Sequence, residues 1–267
     1  MSRQGTILLA GCGNMGQALL RGWLAEGWAQ SDIHVVEPNA EARAVVESLG
    51  VTASRELDRS VGADVIVFAV KPQQLDSVLP DYRDLAGGRI FLSIAAGKPL
   101  SAYERLLGEE AAIVRGMPNT PAAIARGMTV LVANAAVHQA QRAVCETLMS
   151  AVGQVAWIDD EALMDVVTAV SGSGPAYVFL LIECLSDAGV QMGLDSELAG
   201  RLALATVAGA GAYAADSAAD PAELRRRVTS PGGTTEAALE VLAGNDGLPG
   251  LMKRAVRAAA ERSRALA

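Results

Sequence analysis

Six residues near the start of the chain limit its possible folds more than any other feature. Gly11-Cys12-Gly13-Asn14-Met15-Gly16 follow the run Thr6–Ala10 and open a stretch, Met15–Glu26, with helical spacing. In a strand–turn–helix setting each glycine has a task. Gly11 permits the tight turn, Gly13 lets the backbone approach a pyrophosphate, and Gly16 lets helix and strand pack closely. The helix N-terminus, where Asn14 and Met15 lie, offers N–H groups and partial positive charge to phosphates. The pattern predicts a dinucleotide-binding unit; an ordinary glycine-rich turn is the alternative.

The rest of the first 160 residues agrees with it. Short β-branched runs (Thr6–Ala10, Ile33–Val36, Asp64–Val70, Arg89–Ala95, Ala112–Arg115, Met128–Ala133, Val155–Ile158) alternate with helical stretches (Met15–Glu26, Ala40–Leu49, Gln74–Leu79, Leu100–Leu107, His138–Val152). Continuously apolar strands such as VIVFAV are buried on both faces, as in a parallel sheet covered by helices. This predicts an α/β domain over 1–160, a Rossmann-type doubly wound sheet. Beyond residue 160 the strands stop. Glu161–Met192, Ser196–Ala215, Ala222–Arg227, Thr234–Leu242 and Leu248–Ala265 all read as helix, giving an all-helical domain over 161–267. Leu202–Ala215 has no polar face, so that helix must be buried. A lobe of ~105 residues struggles to bury it alone. A second copy of the chain is the expected cover, which makes this half a dimerisation domain.

Composition excludes several classes. With 51% hydrophobic and 19% charged residues the chain is not disordered. Its 30 Asp+Glu outweigh 22 Lys+Arg, against the basic surplus of a nucleic-acid binder. The longest uncharged stretch, Val166–Ile182, is broken by Ser-Gly-Ser-Gly-Pro and falls short of the ~20 residues of a membrane span. No secretory leader pattern is visible, and Cys12, Cys145 and Cys184 form no CxxC. That fits a reducing cytoplasm and argues against a zinc site.

Further motifs fall at strand and helix ends. Glu37 ends the second strand, where an acid usually holds the adenine ribose hydroxyls of NAD and repels the extra phosphate of NADP. A solvated strand-end acid is the other reading, and Arg43 and Arg55 could still reach a phosphate. Ala69-Val70-Lys71-Pro72 ends the strand Asp64–Val70, at the edge where ligands of such folds lie. The apolar pair suits a nicotinamide wall. Lys71 is either a cofactor or substrate contact or a snorkelling strand-end residue. Ser93-Ile94-Ala95-Ala96-Gly97 and Met117-Pro118-Asn119-Thr120-Pro121 end the next two strands, where small residues and a rigid loop allow a flat ring close to the backbone. Ser171-Gly172-Ser173-Gly174-Pro175-Ala176-Tyr177 interrupts a helix at a cost. It makes room for a substrate or cofactor, or it lets helices cross tightly. Ser230, Gly232, Gly233, Thr234 and Thr235 present hydroxyls and amides before a helix. They form a carboxylate-binding nest or an ordinary N-cap with glycine hinges.

The absences also bear on chemistry. Only two histidines exist, His34 and His138, and neither adjoins a motif. Of the three lysines, Lys71, Lys98 and Lys253, none lies in Glu161–Met192, where reductases of hydroxyacids place a catalytic one. The reaction should need little help from a strong proton donor. Reduction of a protonated imine meets that condition. A hydroxyacid or keto-acid reductase and a nucleotide-sensing scaffold without activity are the rival readings.

GCGNMG, AVKP, SIAAG, MPNTP, AVSGSGPAY and VTSPGGTTEAAL together resemble pyrroline-5-carboxylate reductase in order and spacing, over essentially the whole chain. The resemblance implies reduction of 1-pyrroline-5-carboxylate to L-proline with NADPH or NADH, the last step of proline biosynthesis. It also implies a Rossmann domain and a helical domain that interlocks into dimers, often a pentamer of dimers. It places the cofactor over Gly11–Gly16, Ala69–Pro72 and Ala95–Gly97, and the substrate carboxylate on Ser230 and the amides of Gly232, Gly233 and Thr234. Thr235 matches the threonine that hydrogen-bonds the ring nitrogen and is the expected catalytic residue. Glu161 matches an acid near the substrate; the alternative is the acidic first turn of a helix. The Ser230–Thr235 loop then serves a nicotinamide held by the N-terminal domain. Two departures stand out: Arg227 where many members carry Asn, and Glu37-Pro38-Asn39 where many carry small polar residues. The second predicts that NADH is at least competitive with NADPH.

Overall fold

The computed structural model of the chain describes residues 5–266. It contains two compact units: one runs up to Gly172 and takes in the C-terminal residues from Ala260, and the other is Ser173–Ala259.

The first unit is built on one eight-stranded sheet: β1 (Ile7–Ala10), β2 (Ile33–Val36), β3 (Thr52–Ser54), β4 (Val65–Phe68), β5 (Ile90–Ser93), β6 (Ala112–Met117), β7 (Gly127–Ala133) and β8 (Gly153–Trp157). The order is β3-β2-β1-β4-β5-β6-β7-β8. All pairs are parallel except β6–β7, which is antiparallel. The sheet is thus the mostly parallel, doubly wound one expected from the apolar strands, with one antiparallel pair added. Only the short Thr120–Ile124 3₁₀ turn joins the two strands, too little chain for a crossover. β3 was absent from the strand pattern; it is three residues long with no apolar run to mark it.

The expected burial on both faces is present. Ile7 and Leu9 of β1 and Val65 and Val67 of β4 pack into one core with Leu19 and Trp23 of α1 (Asn14–Ala25). Leu8, Ile66 and Phe68 point the other way, against Tyr82 and Tyr103. This follows from the two-residue period of a strand. The covering helices are α1, α2 (Ala40–Ser48), the one-turn α3 (Leu75–Val78), α4 (Leu100–Leu107) and α5 (Gln139–Ser150). A further short helix, α6 (Met164–Val167), runs into a π turn at Thr168–Gly172. The single helix expected over Glu161–Met192 is therefore broken where the sequence reads Ser-Gly-Ser-Gly-Pro.

The second unit holds α7 (Gly174–Gln191), α8 (Ser196–Asp216), α9 (Pro221–Arg227), α10 (Thr234–Leu242) and most of α11 (Leu248–Leu266). α7 and α8 pack on each other, yet Phe179, Leu180 and Leu204 are each more than half exposed. Among the described residues, Glu161–Gln191 and Ser196–Asp216 are long and apolar enough to cross a membrane by length and composition. In the single chain this apolar surface is left without cover.

Candidate active site

β2 and β3 lie on one side of β1, and β4 and the later strands on the other. The carboxyl ends of β1 and β4 therefore diverge into the crevice where open α/β sheets bind ligands. The Gly11 N–H donates to the Val36 carbonyl at 2.8 Å, and the Ala69 N–H to the Ala10 carbonyl at 2.8 Å, pinning both loops to the strand tips. Gly11 has φ +87°, and a Cβ there would fall 2.7 Å from Val70 Cγ1. A Cβ on Gly16 would meet the Gly11 carbonyl oxygen at 2.7 Å, so α1 and the loop touch through backbone. Gly13 differs: its Cβ would meet nothing within 4 Å. The loop is crowded on its inner side and open on its outer side, as a cradle for an approaching phosphate requires.

That opening continues into a cleft of about 490 Å³, whose lining includes Gly11, Gly13, Glu37, Ala69, Val70 and Lys71. Asn14 and Met15 form the first turn of α1, Gly16 is buried in it, and Pro72 starts the 3₁₀ turn after Lys71; none of the four lines the cleft. Ala95, Ala96 and Gly97 follow β5 and are outside the lining of this cleft. Both oxygens of Glu37 are engaged: Oε2 accepts the Cys12 N–H at 2.7 Å and Oε1 the Asn39 N–H at 2.8 Å. Burial, then the nearby Glu37 charge, pushes the Cys12 thiol up to about 12. Arg43 Nη1 donates to the carbonyls of Glu37 and Pro38, at 2.9 and 2.7 Å. The residues present fit a dinucleotide.

The Ser230–Thr235 loop lies in the second unit, ahead of α10. Two of its three expected amide donors are already engaged. The Gly232 N–H donates to Glu236 Oε2 at 2.6 Å, and the Gly233 N–H to the Ser230 carbonyl at 3.0 Å. An incoming carboxylate using Gly232 must displace Glu236. The hydroxyl-bearing Thr234 and Thr235 form the first turn of α10.

Glu161 has a partner that neither sequence reading named. Its Oε1 accepts both the Leu100 N–H at 2.8 Å and Arg115 Nη1 at 2.8 Å. The carboxylate thus caps α4 and neutralises the Arg115 side chain, which is 8% exposed. The one signal for Arg115 was a cation inside the otherwise apolar strand AIVRGM, which demands a buried partner. Beside it, the Tyr103 hydroxyl and Ser93 Oγ lie 2.6 Å apart, and burial pushes the phenol up to about 12. His138 caps α5, its Nδ1 accepting the Gln141 N–H at 3.4 Å, and Lys98 pairs with Asp76 at 2.8 Å.

Comparison with known proteins identifies the family of the chain. The family described as "Pyrroline-5-carboxylate reductase dimerisation" matches residues 161–266, and "NADP oxidoreductase coenzyme F420-dependent" matches residues 6–97. The chain is 45% identical to a pyrroline-5-carboxylate reductase of Pseudomonas aeruginosa, over 98% of this chain and 96% of that one. The solved structure of a Coxiella burnetii pyrroline-5-carboxylate reductase superposes with a TM-score of 0.95 at 36% identity, covering 99% of both chains. A Plasmodium falciparum pyrroline carboxylate reductase solved with NADP bound gives 0.85 at 31% identity, over 100% of this chain and 99% of that one. With its dinucleotide-binding sheet, its dimerisation segment and these full-length similarities, the chain belongs to the pyrroline-5-carboxylate reductase family.

Proposed function

We propose that Gly11–Gly16, Glu37 and Ala69–Pro72 hold the dinucleotide, with Ala95–Gly97 beside the nicotinamide end, while Ser230–Thr235 holds the cyclic imino acid. The reaction itself is the family's: reduction of 1-pyrroline-5-carboxylate to L-proline in proline biosynthesis, on an NADP-binding domain. The cofactor supplies the hydride when bound. The chain's residues supply position and electrostatics. The first turn of α1 faces the phosphates, and Ala69 and Val70 offer an apolar wall. Ser230 and Thr234 meet the substrate carboxylate as it replaces Glu236 on the Gly232 amide. Thr235 accepts the N–H of the protonated ring nitrogen through its hydroxyl oxygen. Glu161 serves the site through Arg115 and α4, which its Oε1 holds. No strong acid is needed, because a protonated imine already carries its activating proton.

The observation that carries this reading is the inner-crowded, outer-open glycine loop at the β1–β4 crevice, in a chain that also keeps the intact Ser-Pro-Gly-Gly-Thr-Thr loop. The charge of Glu37 supports NADH as at least a competitive partner. The match to a dimerisation family supports self-association. A pentamer of such dimers is the larger assembly the resemblance supports, and sedimentation tests it. Two buried free thiols, Cys12 and Cys145, support work in the cytoplasm. We also keep the functional division at residue 160: dinucleotide binding before it, dimerisation and substrate binding after it. A panel of pyrroline-5-carboxylate and keto acids tests the reaction. Turnover confined to the cyclic imine supports it, and preferential turnover of a keto acid overturns it.

A further inference from the structure

Thr168–Gly172 form a π turn. Such widened turns are rare and occur mostly where function needs them. Four residues after Ser171 stands Pro175, which has no N–H to return to the Ser171 carbonyl. The next amide, Ala176, donates to the Ser173 carbonyl at 3.0 Å. The Ser171 carbonyl accepts instead from Asn119 Nδ2 at 3.2 Å, and the same nitrogen is 3.2 Å from Ser171 Oγ. The other end of the Asn119 amide is fixed as well, since Oδ1 accepts the Met128 N–H at 2.8 Å. Met117 closes the same contact: a Cβ on Gly172 would fall 2.5 Å from its Cε. Asn119 follows the carboxyl end of β6, so it binds the π turn to the edge of the sheet where the dinucleotide cleft opens.

We infer that Asn119 is a positioning residue for hydride transfer: it supplies the hydrogen bond that Pro175 withholds and so holds the Ser171 turn at the carboxyl edge of the sheet. The inference rests on the proposal that the nicotinamide is presented at that edge. Asn119 does not line the dinucleotide cleft. Its loss therefore leaves cofactor affinity in place and disturbs the geometry of the reacting groups, to which rate is steeply sensitive.

The test is Asn119→Asp in the full-length enzyme. This change keeps the shape and the acceptor for Met128, and sets an oxygen against the Ser171 carbonyl. Expected is a roughly 10- to 100-fold fall in kcat, with the NADH dissociation constant, read by protein fluorescence, within about twofold of the unchanged enzyme. A kcat within about twofold overturns the inference, as does a parallel loss of NADH affinity, which makes Asn119 a cofactor contact. Where N119D does not fold, N119D/P175A decides, because P175A returns a backbone N–H to the turn. Recovery of folded, active enzyme supports the inference, and no recovery overturns it. Normal turnover of pyrroline-5-carboxylate with N119D unaffected removes this inference alone. An unchanged enzyme that binds NADH and turns over no cyclic imine removes the reading of the reaction, and this inference with it.

Discussion

The backbone N–H of Cys12 donates to Glu37 Oε2 at 2.7 Å, so the carboxylate just after β2 is built into the glycine loop. With its other oxygen on the Asn39 N–H, Glu37 is fixed beside the glycine loop; with the cofactor placed as proposed, a 2′-phosphate would meet its negative charge. The native enzyme is expected to use NADH at least competitively with NADPH. Glu37→Gln keeps an oxygen for Cys12 and removes the charge. It should raise the NADPH-to-NADH ratio of kcat/KM roughly tenfold, or ~1.4 kcal/mol. Steady-state kinetics decide, and a strong NADPH advantage in the native enzyme contradicts this account of Glu37.

Gly13 and Gly16 should fail differently. Gly13→Ala adds a methyl where the structure is open, so the thermal midpoint should hold while NAD(P)H affinity falls about tenfold or more. Gly16→Ala drives a methyl into the Gly11 carbonyl and should lower both stability and affinity. Calorimetry beside fluorescence titration separates the two. Equal destabilisation by both changes would show that Gly13 is packed rather than open.

Thr235→Ala should lower kcat/KM for pyrroline-5-carboxylate by one to two orders of magnitude, as expected for a lost hydrogen bond to a charged group of ~1.5–3 kcal/mol. NADH binding should not change. Unaltered kinetics would remove Thr235 from the mechanism.

Glu161→Ala tests a structural role against a substrate role. It leaves the buried Arg115 cation without its carboxylate. The expected cost is roughly 2–4 kcal/mol, toward the low end for breaking a buried pair because the Glu161 side chain is 28% exposed. Glu161→Gln, which keeps an acceptor for Leu100, should cost less. Denaturant unfolding measures both. A native midpoint with a large rise in KM for the substrate would show that Glu161 serves the ligand and not the fold.

The sheet was legible in the sequence because burial on both faces leaves a run such as VIVFAV few other places to go. The glycine loop was legible because strand, turn and helix each leave a local mark there. What could not be read depends on residues far apart in the chain. Thr52–Ser54 is an edge strand too short to show a period. The Arg115–Glu161 pair joins positions 46 residues apart, and nothing local announces it. The π turn had a visible cause, Pro175, but its replacement donor, Asn119, lies 52 residues from Ser171. The late glycine loop reads as a nest or an ordinary N-cap, and its occupation by Glu236 is a side-chain choice that spacing does not reveal.

The most direct measurement follows the hydride. Purified enzyme is given pyrroline-5-carboxylate and NADH carrying deuterium at the transferable position of the nicotinamide, and the proline formed is analysed by mass spectrometry and NMR. The account requires one deuterium per proline, on the former imine carbon, matched by the cofactor oxidised. Proline without deuterium, or bound NADH that stays unoxidised beside the cyclic imine, would contradict it.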